Sequence, residues 1–238
     1  MRVAPSVHRV GNGLVNAYLL EDGGQVTIID AGAPAYWGAL PAELAAMGRS
    51  LDDVRAVVLT HAHTDHVGFA ERIRRERGVP VSVHADDAAM ARGEVRASGQ
   101  KAGPIRIGPM IAFIWWALRN GALRIPPIAE VSTFGDGATL DVPGSPRVIA
   151  LPGHSPGSAA LHVPRFDALF IGDAIATKAV TNGEEGPQIA PFSSDRTQAL
   201  ASLSRLDGIE AGLVLPGHGQ PWTGGVAAAV AAVQAREA

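Results

Sequence analysis

The stretch THAHTDHVG, residues 60 to 68, places three histidines and an aspartate between His61 and His66, in a chain that holds only eight histidines altogether. It begins on the last residue of RAVVLT, a short apolar run rich in branched residues that reads as a buried strand. Ligand-type side chains at the end of such a strand constrain the fold, because the sheet must open there onto a site and not onto packed core. His61 and His63 stand two residues apart, point the same way and can reach one metal ion. Asp65 and His66 fall at the opening of the next helix, displaced by a turn, and suit a second ion. A solvated turn is the alternative, but it leaves four ligand-type residues at this spacing unexplained.

The same arrangement recurs downstream. Strands are predicted at Val15 to Leu20, Gln25 to Ile29 and Val54 to Leu59, the first two as a hairpin across Glu21 to Gly24. Further strands follow at Val79 to Val83, Arg147 to Leu151, Ala159 to Val163, Ala168 to Ile171 and Leu213 to Leu215. Helices are predicted at Ala35 to Met47, Ala70 to Arg77, Thr197 to Leu206 and Val226 to Ala235. His154 in LPGHSPGS follows the strand VIAL, Asp173 in FIGDA follows LFI, and His218 in LPGHGQ follows LVL. Each is a loop residue flanked by glycine or other small residues at a strand end.

Zinc takes at least three protein ligands, and with no cysteine in the chain every ligand must be nitrogen or oxygen. His61, His63 and His154 then make one set, Asp65, His66 and His218 the other, and Asp173 can bridge two divalent ions about 3.5–4 Å apart. Such donors suit Zn²⁺ first, and also Fe, Mn or Co.

HAHTDH, with Asp30 in IIDAG upstream and His154, Asp173 and His218 downstream, resembles the metallo-β-lactamase superfamily, with the motifs in that family's order from Asp30 to His218. The resemblance implies an α+β fold, a four-layer αββα sandwich of two mixed β-sheets packed face to face with helices outside and a dinuclear site at one sheet edge. It implies that Asp30 orients the metal-bound loop without ligating, and that Ser155 and Ser158 hold the His154 loop. Within the family, Asp173 and the lack of an export signal speak against a β-lactamase, and His63 speaks against a redox flavodiiron relative. The roughly 20 residues after His218 speak against a glutathione-binding helical domain of the glyoxalase II type. The compact branch of lactonases, thioesterases and small esterases remains.

Residues 1–238 are expected to form one domain with an apolar insertion at about 90–131, partly helical after the break at Gly108 and Pro109. Its run Ile107 to Leu118 is too short for a membrane span, which needs about 20 residues. Phe113, Trp115 and Trp116 are candidates for the wall or lid of a substrate pocket; core or a homodimer contact is the competing reading. A net charge of −3 with scattered basic residues implies no nucleic-acid partner, and the amino terminus implies a cytoplasmic protein. His8, His84 and His162 read as structural, and Lys178, Thr181 and Asn182 as a solvated loop. The activity expected is hydrolysis of a small-molecule ester-type bond by a dinuclear-site hydroxide, with Asp65 passing a proton to the leaving group. Phosphodiester or phosphotriester hydrolysis, β-lactam cleavage and a non-catalytic metal-binding scaffold are the alternatives.

Overall fold

The computed structural model describes residues 1–237. Its amino-terminal half builds a seven-stranded sheet from β1 (Arg2–Ala4), β2 (Val7–Gly11), β3 (Asn16–Asp22), β4 (Gln25–Ile29), β5 (Val54–Val58), β6 (Val81–His84) and β7 (Ser132–Phe134), in that order. The sheet is antiparallel through β4, where Gly23 and Gly24, both with positive φ, close the hairpin on the Asp22–Gln25 pair. It is parallel from β4 to β7, because helices make the crossovers. These helices are α1 (Leu40–Ala46), α2 (Ala70–Arg77), α3 (Ala88–Ala91) and α4 (Ile107–Arg119).

The carboxyl-terminal half builds a four-stranded sheet from β8 (Arg147–Ala150), β9 (Ala159–Val163), β10 (Ala168–Gly172) and β13 (Leu213–Pro216), ordered β13-β10-β9-β8. A separate hairpin, β11 (Ala176–Lys178) and β12 (Glu185–Gln188), precedes α5 (Arg196–Ser202), and α6 (Val226–Glu237) follows β13.

Three apolar layers hold this together. Tyr18, Leu20, Ile29 and Val58 of the first sheet share a core with Leu161, Phe170 and Leu215 of the second, so the sheets pack face to face. Leu40, Leu44 and Ile73 cover the outer face of the first sheet, joined by Trp116, Ala122 and Ile128 of the 90–131 segment. Leu203, Ala229 and Val233 cover the outer face of the second. The expected αββα sandwich is therefore the observed one.

Local details differ in three places, while α2 has the predicted bounds. The helix predicted over Ala35 to Met47 is a 3₁₀ turn (Pro34–Gly38) followed by α1, divided where Pro41 enters the first turn. Gly108 and Pro109 do not precede α4 but lie in its first turn, where proline's missing N–H leaves no intrahelical bond unmade. Asp65 and His66 do not open α2. They occupy a turn ahead of it, because the Ala31 N–H donates to the His66 carbonyl (2.6 Å) and the Gly68 N–H to that of Gly32 (2.8 Å). A Cβ on Gly68 would strike the Gly32 and Ala33 backbone, so residues 64–69 lie flat on the loop after β4.

Candidate metal centre

All the polar side chains singled out in the sequence as site residues come together at one end of the sandwich, each from beyond the carboxyl end of a strand. Asp30 follows β4, His61 to His66 follow β5, Asp173 follows β10 and His218 follows β13, while His154 lies on the loop after β8. Gly217 precedes His218 where a Cβ would overlap Asp173 and His66, so the backbone can approach the cluster only there as glycine.

The five imidazoles share one orientation rule: one ring nitrogen meets an oxygen or amide outside the cluster, and the other turns inward. His66 Nδ1 lies 2.9 Å from Asp30 Oδ2. His61 Nδ1 lies 3.1 Å from Thr60 Oγ1, and His154 Nδ1 lies 3.2 Å from Ser193 Oγ. His218 Nδ1 contacts the Leu14 carbonyl, whereas His63 Nε2 accepts from the Gln100 side-chain NH2 at 3.0 Å and its Nδ1 lies 2.8 Å from His154 Nε2. In the four rings that face an oxygen, a nitrogen donating its proton outward leaves the opposite lone pair free to bind a cation.

The inward atoms fall into overlapping groups. Ligand atoms of His61, His63 and His154 lie within 4.8 Å of one another, as do those of Asp65, His66 and His218, and those of His61, His66 and Asp173. Asp173 stands between the first two: its oxygens lie 3.4 Å from His154 Nε2, 3.6 Å from His66 Nε2 and 3.0 Å from His218 Nε2. His61 Nε2, His66 Nε2 and Asp173 Oδ1 are buried without a hydrogen-bond partner. Three orphaned polar atoms in one buried cluster would each cost about 1–3 kcal/mol, whereas a cation among them would engage them all. The donor set, nitrogen and carboxylate oxygen only, fits a divalent metal.

Burial and neighbours split the imidazoles electrostatically. Burial holds the pKa of His61 well below the ordinary histidine value, helped by His66, His63 and His154. It lowers His154 and His63 too, against the opposing pull of Asp173 on the first and of Asp65 and Asp173 on the second. For His66 burial works in the same direction but is outweighed by Asp173, Asp30 and Asp65, so its pKa is well raised. His218 is raised likewise, against burial, by Asp173 and Asp65. Burial also opposes the charge on Asp173, yet His218, His66 and His154 hold its carboxyl well below the usual carboxylate range.

Support around the cluster is only partly what the sequence suggested. Asp30, in the left-handed region at φ 59°, accepts from the Thr60 N–H (2.8 Å), the Thr60 hydroxyl and His66, which places it behind the ligand loop as expected. The Ser158 hydroxyl accepts from the Ser155 N–H at 2.9 Å. Sequence reasoning missed Asp87. It is fully buried and accepts from the Ala62 N–H (2.9 Å), the Ser155 hydroxyl (2.7 Å) and the Gly157 N–H (2.7 Å), tying the His61 loop to the His154 loop. Its only signal was position, just past the apolar strand VSVH. His8, His84 and His162 lie away from the cluster, against Glu43, Phe134 and the Glu210 carbonyl. Thr181 and Asn182, predicted as a solvated loop, are buried instead, because the Thr181 carbonyl accepts from the Arg106 N–H that leads into α4.

Above the cluster opens a cavity of about 670 Å³. His63, Asp65, His154, Asp173 and His218 form its floor, and Met90, Phe113, Trp116, Ile125 and Phe192 contribute its apolar walls. Phe113 stacks on Trp116 (5.7 Å between centroids) and on Phe192 (6.4 Å), and stands edge-on to His218 at 6.4 Å. Phe192, which the sequence did not single out, has a left-handed backbone at φ 62° that turns its ring into this stack. Trp115 is a correction: it does not line the cavity but faces outward, 56% exposed, because on a helix adjacent residues point about 100° apart.

Fold and site together define a metal-site protein of the αββα type, and comparison with known proteins agrees. Residues 10–218 match the family model of the metallo-beta-lactamase superfamily, and the chain belongs to that superfamily. It is 27% identical over 233 residues to the probable metallo-hydrolase YflN of Bacillus subtilis, covering 93% of this chain and 86% of the relative. Among solved structures it is similar to the metallo-beta-lactamase family protein TTHA1429 of Thermus thermophilus, with a TM-score of 0.71, 25% identity, and 99% and 80% of the two chains covered. It is also similar to TTHA1623 in a di-iron-bound form, with a TM-score of 0.58, 28% identity, and 91% and 93% covered.

Proposed function

We propose that this chain is a metal-dependent hydrolase that cleaves an ester-type bond, in a lactone, ester or thioester, of a small molecule with a lipophilic acyl part. The observation that carries the reading is the convergence of five inward-facing imidazole nitrogens on buried Asp173 at the floor of an apolar cavity. His61, His63 and His154 would hold one divalent ion, Asp65, His66 and His218 a second, with Asp173 shared between them. Zinc suits these donors, and the di-iron form of a similar protein makes iron the second choice. Bound there, such ions supply Lewis acidity to a carbonyl oxygen and lower the pKa of a water to near neutrality.

The chain's own residues supply the rest. Asp65 lines the cavity with its side chain 17% exposed and Oδ2 3.4 Å from His218 Nε2. It is the group placed to take a proton from the attacking water and return it to the leaving oxygen or sulfur. Phe113, Trp116 and Phe192 exclude bulk water above the floor and give an acyl chain an apolar surface to lie on. A phosphodiester, charged at the bond to be cut, gains little from these walls.

Metal analysis of the purified protein, paired with a screen across acyl homoserine lactones, thioesters, phosphodiesters and a chromogenic β-lactam, tests the proposal. Ester-type substrates should lead, chelation should abolish turnover, and added Zn²⁺ should restore it. Preference for phosphodiesters, or turnover that survives removal of all metal, would overturn it.

A further inference from the structure

We infer that the outer face of α4, with the cavity mouth beside it, is a docking surface for an anionic lipid bilayer. The inner side of α4 is occupied, with Trp116 and Ala117 in the core and Phe113 on the cavity wall. Its outer side carries Ile107, Ile111, Ile114, Trp115 and Leu118, at spacings of four, seven, eight and eleven residues from the first, which is one continuous helical stripe. All five are strongly exposed, from 48% at Ile114 to 79% at Ile107. The concentration is marked: among the described residues, every exposed large hydrophobic side chain except Met1 lies between Val95 and Leu123. Isolated exposed apolar residues need no partner, but a stripe gathered on one segment does.

Charge on the same segment says what the partner is. From Val95 to Ala129 the chain carries Arg96, Lys101, Arg106, Arg119 and Arg124 and no acidic residue, although the whole chain is at −3. Arg106 has a carboxylate within reach, Glu184 at 3.6 Å; among the described residues the other four pair with none. Arg106 and Arg119 bracket α4, with the Arg119 guanidinium 5.1 Å from the centre of the Trp115 ring. A two-fold contact with a second copy would set this cationic segment against itself. Anionic headgroups instead complement it, while the stripe enters the acyl boundary and Trp115 sits at the interface between the two.

The surface also leads into the cavity. Val95 and Leu123 line the cavity and are 52% and 66% exposed, and Arg96 and Arg124 stand beside them at the mouth. A helix of 13 residues cannot cross a bilayer, and no described helix is long and apolar enough to do so, so α4 would lie in the membrane plane. Binding to vesicles is read without turnover, so the inference stands or falls apart from the hydrolytic proposal.

The test is flotation of the purified protein with vesicles of phosphatidylcholine alone and of phosphatidylcholine mixed with phosphatidylglycerol, with light scattering of the protein by itself. The protein should float with the mixed vesicles, bind neutral ones far less, and be released as salt rises. Ile111→Asp with Trp115→Asp should lower the bound fraction about tenfold or more, with the thermal melt checking the fold. Arg119→Glu with Arg124→Glu should remove the preference for phosphatidylglycerol by a similar factor. Failure to bind either vesicle, or binding unmoved by both double variants, would overturn the inference. So would a dimer in solution that the first double variant dissociates while vesicles bind nothing, since a second copy would then be the occupant.

Discussion

Asp87 sends no atom into the ligand cluster, yet three donors on the two loops that carry ligands end on its carboxylate. Asp87→Ala would leave these buried donors without an acceptor, at a cost of about 2–4 kcal/mol. Urea unfolding of the metal-free protein should show the loss, and metal affinity should fall with it because His61 and His154 are no longer held in register. An unchanged midpoint would mean that water replaces the carboxylate. Asp65 belongs to the opposite category, since it stands on the cavity floor and the proposed mechanism gives it a chemical role. Asp65→Asn keeps shape and one oxygen but cannot accept and return a proton as a carboxylate does, so kcat should fall about 10²-fold or more with KM little changed. Metal content must be measured alongside, for a variant that keeps both its metal and its turnover would remove Asp65 from the mechanism. The candidate ligands that the fold brings together were legible in the sequence because each stands just past an apolar strand. Asp87 was not, since a buried acceptor in HADD and a solvated turn have the same letters, and only long-range contacts separate them.

Elements show the same division between local and distant causes. Strand runs such as Gln25 to Ile29 and Ala159 to Val163 are observed with the predicted bounds, because a buried strand is specified by its own branched residues. α2 too has the predicted bounds, but Asp65 and His66 do not lie at its opening, because the backbone of Gly32 and Ala33, about 30 residues away in sequence, dictates the course of residues 64–69. In α4 the apolar run was legible but its two faces were not, since both carry bulky hydrophobic residues and only packing decides which is covered. That division makes a prediction. Phe113→Ala opens the cavity wall and should reduce kcat/KM for long acyl chains more than for short ones, whereas Trp115→Ala, on the outer face, should leave the ratio for soluble substrates unchanged. A matched series of esters of increasing chain length measures it, and equal losses at every length for Phe113→Ala would assign that ring a purely structural role.

At the scale of the molecule, the site is where the two halves meet. His61, His63, Asp65 and His66 follow the first sheet, while His154, Asp173 and His218 follow strands of the second. A ligand shared across that boundary stabilises the assembled sandwich by mass action, so divalent metal should raise Tm and chelation lower it. The charge states of the imidazoles add a sharper consequence. Burial lowers the pKa values of His61, His63 and His154, which favours the neutral form that binds metal, whereas nearby carboxylates raise those of His66 and His218 against burial and favour the protonated form in the metal-free protein. Metal binding requires every ligand imidazole neutral, so the second set must release protons as it fills. Proton release on binding makes apparent affinity rise with pH until the raised pKa values of His66 and His218 are passed, and the second ion should show it more than the first. Titration calorimetry with Zn²⁺ in buffers of different ionisation enthalpy counts these protons directly. A binding heat that does not vary with the buffer would mean that His66 and His218 are already neutral, and that Asp173, Asp30 and Asp65 hold them by orientation and not by charge.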